Sequence, residues 1–314
     1  MIHGTLFALA AGCMWGLVFV GPLLLPDYPP AMHTFGRYLA FGLICLPLAW
    51  LDRVRLRQLR RADWVEALKL ALVGNIVYYF FLSSAIQRAG APLPTVVIGT
   101  LPVAIALVSN WRAAQPVPWA RLLPSICLIA AGIALVNQVE LTALRADAQA
   151  DLSRYAWGGV LAVGAVLCWT WYPIRNAEWL RAHADRSDQK MASTWATAQG
   201  IATLPLALFG YLGFWVWSSV TGSAFDMPLG ARPVPYLGLM FALGFLASWV
   251  GSLCWNEASQ RLPGTLSGQL IVFETLAALC FTFALRGAWP QWQTLMGAGL
   301  LVAGVVWALR AQRG

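Results

Sequence analysis

Apolar residues run along this chain in blocks of about twenty, each long enough to cross roughly 30 Å of hydrocarbon as a helix. The blocks fall at 4–22, 31–50, 64–87, 92–111, 119–137, 157–175, 190–210, 236–257, 264–285 and 293–310. They are continuous apolar runs, not short alternating segments, so the pattern predicts helices and excludes a barrel. The expected fold is all-α and integral to the membrane, with ten transmembrane helices. The opening, MIHGTLFALAAG, lacks a basic leader and a cleavage site, and reads as the first span. The longest interruptions are 138–156 and 211–235; the second holds the aromatic run FWVW, which reads as an interfacial segment.

The pattern also repeats. Asn75 to Pro102 reads as a helix, a tight turn at QRAGAP and a second helix, and a shift of 173 residues lands on Ser248 to Thr275 with the same layout. Ala85, Gln87 and Arg88 fall on Ala258, Gln260 and Arg261. Leu46-Pro47-Leu48-Ala49 matches Leu204-Pro205-Leu206-Ala207 at a shift of 158, and Trp15 falls on Trp169 at 154. The chain therefore divides into a first five-helix repeat at 1–137, a linker loop at 138–156 and a second five-helix repeat at 157–314. Five spans is an odd number, so the two copies enter the membrane in opposite senses. Inverted repeats support alternating access around a site near the midplane.

Composition agrees with the membrane reading. The chain is 59% apolar and 11% charged, where a soluble domain carries roughly a quarter charged residues. The net charge of +8 is not a nucleic-acid stripe, because the basic residues cluster in particular loops. With a cytoplasmic N-terminus, fourteen of them fall in inner loops or at the inner end: Arg53, Arg55, Arg57, Arg60, Arg61, Arg112, Arg121, Arg175, Arg181, Arg186, Lys190, Arg261, Arg310 and Arg313. The outer loops hold five: Arg88, Arg145, Arg154, Arg232 and Arg286. Both termini are thus expected in the cytoplasm. The six cysteines lie inside apolar segments with no metal-ligand spacing, and read as small core residues.

These features resemble the drug/metabolite transporter superfamily, specifically its EamA-type ten-helix members. The resemblance rests on the small-residue-rich first helix ending in Met14-Trp15-Gly16, on Phe35-Gly36-Arg37-Tyr38, on the Ala85 to Ala91 turn and on Leu101-Pro102-Val103. The second copy departs from the family's glutamate–proline step by reading Glu274-Thr275. The aromatic-rich third helix is most similar to the YddG-type aromatic amino acid exporters. The resemblance implies an inner-membrane exporter of small solutes.

Several residues could build its site. Asn75 stands three before Tyr78, which puts an amide and a phenol on one helix face, with Tyr79 beside them. The equivalent places of the eighth span hold Ser248, Gly251 and Ser252. Aromatic faces with a few hydrogen-bonding groups suit a planar amphipathic solute, although tyrosines also simply pack cores. Trp15 and Trp169, related by the repeat, are candidates to wall a cavity; Trp50, Trp64, Trp119, Trp157, Trp289 and Trp292 fall where an interfacial belt would place them.

Glu274 is a carboxylate well inside a span, where a charge costs ~2.5–3.5 kcal/mol on insertion scales. It is a proton-coupling or substrate-ammonium site, or else a hydrogen-bonded helix-break residue, as the family's recurrent glutamate at this place implies. Arg37, inside the second span, is its candidate counter-charge, and Glu257 reads as solvated. His33 lies at the outer mouth near Asp27 and Tyr28, as an interfacial or gating residue. Pro102 removes a backbone bond in mid-span and marks a helix break. Gly4, Ala8, Gly12 and Gly16 form a stripe for close helix packing.

No enzyme constellation is present in the sequence: the three histidines form no H-E-x-x-H, and no phosphate-binding glycine loop occurs. No cofactor and no metal are implied. The reading is an exporter of aromatic and other neutral amino acids and related small metabolites, acting as a single chain in the lipid bilayer. A broad exporter of drugs or organic cations is the same-class alternative. A membrane-embedded enzyme would need ionisable clusters that the spans lack.

Overall fold

The computed structural model describes residues 2–90, 92–112, 118–146, 151–183, 190–262, 266, 270–287 and 289–311. The first residues of the span expected at 264–285, together with Ala91, Arg186 and Arg313, lie outside that set. Helices follow one another along the chain: α1 (Ile2–Leu24), α2 (Pro30–Leu51), α3 (Arg61–Ala89), α4 (Pro92–Ile98), α5 (Leu101–Trp111), α6 (Trp119–Ala146), α7 (Leu152–Ala182), α8 (Met191–Thr221), α9 (Pro233–Arg261), α10 (Val272–Arg286) and α11 (Trp292–Ala311). Among the described residues no strand occurs. Six of the helices, α1, α2, α3, α7, α8 and α9, are long and apolar enough to cross a membrane.

Three boundaries differ from the pattern of apolar blocks. The interruption expected at 138–156 is mostly helix, since α6 runs on to Ala146 and α7 starts at Leu152. Similarly, α8 continues through FWVW to Thr221, and stops at Gly222, whose φ of 63° is left-handed. Hydrocarbon thickness sets how much of a helix must be apolar, not where it ends. Finally, the block at 92–111 is two helices, separated at Gly99-Thr100, where the Thr100 hydroxyl donates to the Val97 carbonyl at 2.7 Å. Pro102 therefore stands in the first turn of α5 rather than in mid-helix, and there its missing N–H costs nothing.

A second break appears where the sequence has Glu274-Thr275 in place of glutamate–proline. Helix α10 begins at Val272 after a turn at Ile271, and the Glu274 amide donates to the Ile271 carbonyl at 2.9 Å. Its carboxylate so occupies the first turn of α10, where the helix dipole favours negative charge.

The helices pack through small residues, as expected where lipid supplies no hydrophobic drive between them. Gly4 meets Leu262, Gly12 meets the backbone of Phe273 and Glu274, and Gly16 meets Ala277 and Ala278. The glycine stripe of α1 is thus the seam along α9 and α10. Helix α2 packs on α8, α3 on α7, and α6 on α11. Two stretches wind as π-helix, Ala71–Val77 within α3 and Leu243–Val250 within α9. Outward faces carry exposed leucine, valine and phenylalanine, and Trp50, Trp111, Trp119, Trp157, Trp289 and Trp292 stand exposed near helix ends. Trp64, by contrast, packs partly against the core.

Candidate functional site

The two π-helical stretches and the start of α10 turn their polar side chains toward one point. There a small cavity is lined by Trp15 and Val18 of α1, Arg37 and Tyr38 of α2, Asn75 and Tyr78 of α3, Trp169 of α7, Ala247, Ser248 and Ser252 of α9, and Glu274 of α10. Its free volume is about 10 Å³. That is room for roughly a single water. In this closed state no solute larger than water fits.

Three rings form a continuous stack on one wall: Tyr78 on Trp169 at 4.6 Å and Trp169 on Tyr172 at 4.8 Å, nearly parallel. Trp15 closes the corner, edge-on to Trp169 at 4.9 Å and tilted against Trp255 at 5.2 Å. Glu274 is 1% exposed and its two oxygens are held separately. The Tyr78 hydroxyl donates to Oε1 at 3.3 Å and the Trp169 indole N–H donates to Oε2 at 3.2 Å. Gly12 permits this, because its bare backbone lies against the Glu274 amide.

Arg37 is the other charge of the cavity, also buried. Its Nε donates to the Ser248 hydroxyl at 3.0 Å, and its guanidinium lies over the Tyr79 ring at 4.5 Å and the Tyr38 ring at 4.9 Å. Such cation–π contacts gain strength when desolvated. Its Nη1 is buried without a hydrogen-bond partner. Among the described residues no ion pair within 4 Å joins Arg37 to Glu274, so the counter-charges share a cavity without touching.

Of the other residues singled out in the sequence, Tyr79 lies just outside the lining, its hydroxyl donating to the Val18 carbonyl at 3.2 Å. His33 sits one turn beyond Arg37, fully buried, with Nε2 3.0 Å from the Leu25 carbonyl, to which it donates. Pro102, at the start of α5, does not line the cavity. Glu257 pairs with Arg261 one turn on.

Beyond Asn75, sequence reasoning missed a line of buried amides, Gln199, Asn176 and Asn256, leading from the cavity. Asn75 donates to the Thr203 hydroxyl at 3.0 Å, and Tyr172 donates to Gln199 at 2.8 Å. Gln199 donates to Asn176 at 3.0 Å, and Asn176 to Asn256 at 2.8 Å, with the Trp195 indole also donating to Asn176. The signal was available, since an amide inside a span is costly wherever it lacks a partner.

Beyond this line, at one end of the bundle, Asp63 accepts from the Trp179 indole at 3.0 Å and approaches His183 at 3.2 Å. Glu66 receives two bonds from Arg175, at 2.5 and 3.2 Å, and Arg175 and Arg112 both reach Glu178 at 3.1 Å. At the opposite end, Asp27 pairs with Arg232, and Tyr28 stacks on Tyr236 at 4.9 Å. Desolvation works to raise the Asp27 pKa, but the Arg232 guanidinium and a backbone N–H together outweigh it and hold the carboxyl below its ordinary value. Elsewhere an apolar groove of about 760 Å³ runs between α2, α8 and α9. Its lining carries no charge, so it offers nothing to hold a polar solute.

The architecture has known counterparts. A solved structure 18% identical in sequence superposes with a TM-score of 0.71 over 99% of both chains, a likeness of fold. Inner membrane protein YtfF of Escherichia coli (strain K12) is 52% identical, the match covering 99% of this chain and 96% of that protein. YhbE of the same strain, named an uncharacterized inner membrane transporter, is 24% identical over 99% of this chain and 92% of its own. The model of the EamA-like transporter family matches residues 2–138. With helices able to span a membrane, a charged cavity among them and a half-identical relative aligned end to end, the chain belongs to the EamA-like transporter family, within the drug/metabolite transporter superfamily.

Proposed function

We propose that this transporter exports amino acids, aromatic ones first and other neutral ones with them, by alternating access in the inner membrane. The observation that carries the reading is the cavity itself, where ring faces, a buried carboxylate and a buried guanidinium converge from six helices. A solute with an apolar planar part and a charged or polar head matches that lining.

The architecture proposed for this task is ten membrane helices in two inverted repeats, 1–137 and 157–314, joined through 138–156. Helix pairing supports it: α1 on α9 corresponds to α7 on α3, while α2 meets α8 and α6 meets α11 as equivalent helices. Val77 and Val250, which end the two π-helical stretches, stand at the repeat offset of 173. The bias of basic residues toward one set of loops supports a cytoplasmic location for the Asp63, Glu66 and Arg175 end and for both termini. The relatives' names support an inner-membrane location.

The test is flux into proteoliposomes of labelled phenylalanine, tryptophan, threonine and a quaternary ammonium ion, with and without a pH gradient. Amino acid flux that falls at least about tenfold in Tyr78→Ala and Trp169→Ala is the expected result. A second reading, export of organic cations, is favoured by the place of Glu274 beside the Tyr78 and Trp169 rings. Movement of the quaternary ion alone, lost in Glu274→Gln, would replace the first reading with the second.

A further inference from the structure

Arg37 is an unusual object at this depth. It is 4% exposed and its Nη1 has no partner. Its ring-facing surfaces are covered by Tyr38 and Tyr79, and its Nε is committed to Ser248. Buried polar atoms in folded proteins nearly always find partners, and a buried guanidinium with no anion in direct contact is among the costlier exceptions. Glu274 is the complementary case: each of its oxygens accepts from a neutral donor, and no cation is within 4 Å among the described residues. Two opposite charges lining one cavity could have neutralised each other. They are instead kept apart, Arg37 by Ser248 and Glu274 by Tyr78 and Trp169.

We infer that Arg37 and Glu274 are the two halves of a zwitterion clamp: Arg37 binds the α-carboxylate of the transported amino acid and Glu274 its α-ammonium. The inference rests on the amino acid reading above and deepens it by assigning each end of the substrate. A guanidinium presents paired N–H donors that match a carboxylate, and its Nη1 supplies one with nothing else to satisfy it. The substrate side chain then lies against Trp15, Trp169 and Tyr78, which bound the same cavity. Ser248 is a positioning residue, fixing the guanidinium edge through Nε. Because the cavity holds about one water in the closed state, the clamp fills only when the helices part.

The test measures binding to the purified full chain, by calorimetry and ligand-induced thermal stabilisation, for three ligands. Phenylalanine carries both charges, phenylalaninamide lacks the carboxylate, and N-acetylphenylalanine lacks the ammonium. The wild-type chain is expected to bind phenylalanine at least about tenfold more tightly than either analogue, the scale of one charge-assisted hydrogen bond. In Arg37→Gln the preference over phenylalaninamide disappears, while that over N-acetylphenylalanine survives. Glu274→Gln gives the converse, and Arg37→Lys, which keeps the charge, retains part of the first preference. A ligand-free melting temperature close to wild type shows that each variant is folded; should Arg37→Gln fail this, Arg37→Lys and Ser248→Ala carry the test.

Equal binding of phenylalanine and phenylalaninamide by the wild type would overturn the clamp while leaving amino acid transport standing. Uniform weakening of all three ligands in Arg37→Gln would also overturn it, reducing Arg37 to a structural residue. If the wild type binds and moves no amino acid at all, the transport reading falls and the clamp falls with it.

Discussion

At the scale of single residues the molecule depends on how polar groups are satisfied where no water reaches. Asn176 is the clearest case. Its carbonyl oxygen accepts from Trp195 and Gln199, and its amide donates to Asn256. Truncation to alanine leaves those three buried groups short of a partner at once. An orphaned polar group costs roughly 1–3 kcal/mol in a protein interior, but single hydrogen bonds between membrane helices average nearer 0.6 kcal/mol. The expected loss for Asn176→Ala is therefore about 1–3 kcal/mol in all, read as a fall of several degrees in the thermal midpoint of the purified chain. No change in the midpoint would show that water enters this line of amides and satisfies it. The same bookkeeping explains why such residues escaped a reading built on aromatic faces: a lone amide in an apolar run reveals its importance only through partners on other helices.

At the scale of elements, most helices were legible because an apolar run of the right length has few alternatives in a membrane. Their ends were not. Helix α8 passes its apolar block and runs to Gly222, and α6 extends to Ala146 through a polar stretch that forms helix as readily as loop. The π-helical turns were illegible for a different reason, since Ala71–Val77 and Leu243–Val250 contain nothing that locally demands a wider turn. Such turns often occur at functional sites. The stripe on α1 was legible as a packing seam, but not that its partner would be the backbone carrying Glu274. This makes Gly12 an element-level test. A Cβ there would stand 3.0 Å from the Glu274 amide and from the Phe273 Cβ, so the first turn of α10 must shift by a few tenths of an ångström. Gly12→Ala is expected to cut substrate flux about tenfold, because positioning errors at a site cost far more than their size. Gly299→Ala, where nothing lies within 4 Å, is the matched control and should leave flux unchanged. Equal flux in both variants would mean that the start of α10 tolerates displacement.

At the scale of the whole molecule, the cavity with its room for one water lies between two polar clusters at opposite ends of the bundle. One is fastened by Glu66, Arg175, Glu178 and Arg112 with the Asp63 cluster, and the other by Asp27 with Arg232 and the stack of Tyr28 on Tyr236. Alternating access requires each fastening to part while the other holds. The two differ in strength: the half-exposed Asp27–Arg232 pair contributes ~1 kcal/mol or less, whereas Glu66, buried and held by two bonds from Arg175, belongs to a network that opens at greater cost. A covalent fastening changes that balance. In a chain freed of its native cysteines, a cleavable bifunctional thiosulfonate reagent links Glu66→Cys to Arg175→Cys across α3 and α7, and Asp27→Cys to Arg232→Cys at the opposite end, spanning the gap left by the two long side chains. Each lock alone is expected to abolish flux when cross-linked and to restore it when the linker is cleaved by reduction. In the reduced single variants, an impermeant thiol reagent added outside intact cells should modify Asp27→Cys and spare Arg175→Cys, which fixes the orientation by the same reagents. If one lock leaves flux untouched, that end is a static seal and the two repeats do not rock. If labelling is reversed, the basic loops face outward and the inverted assignment of the two halves fails with them.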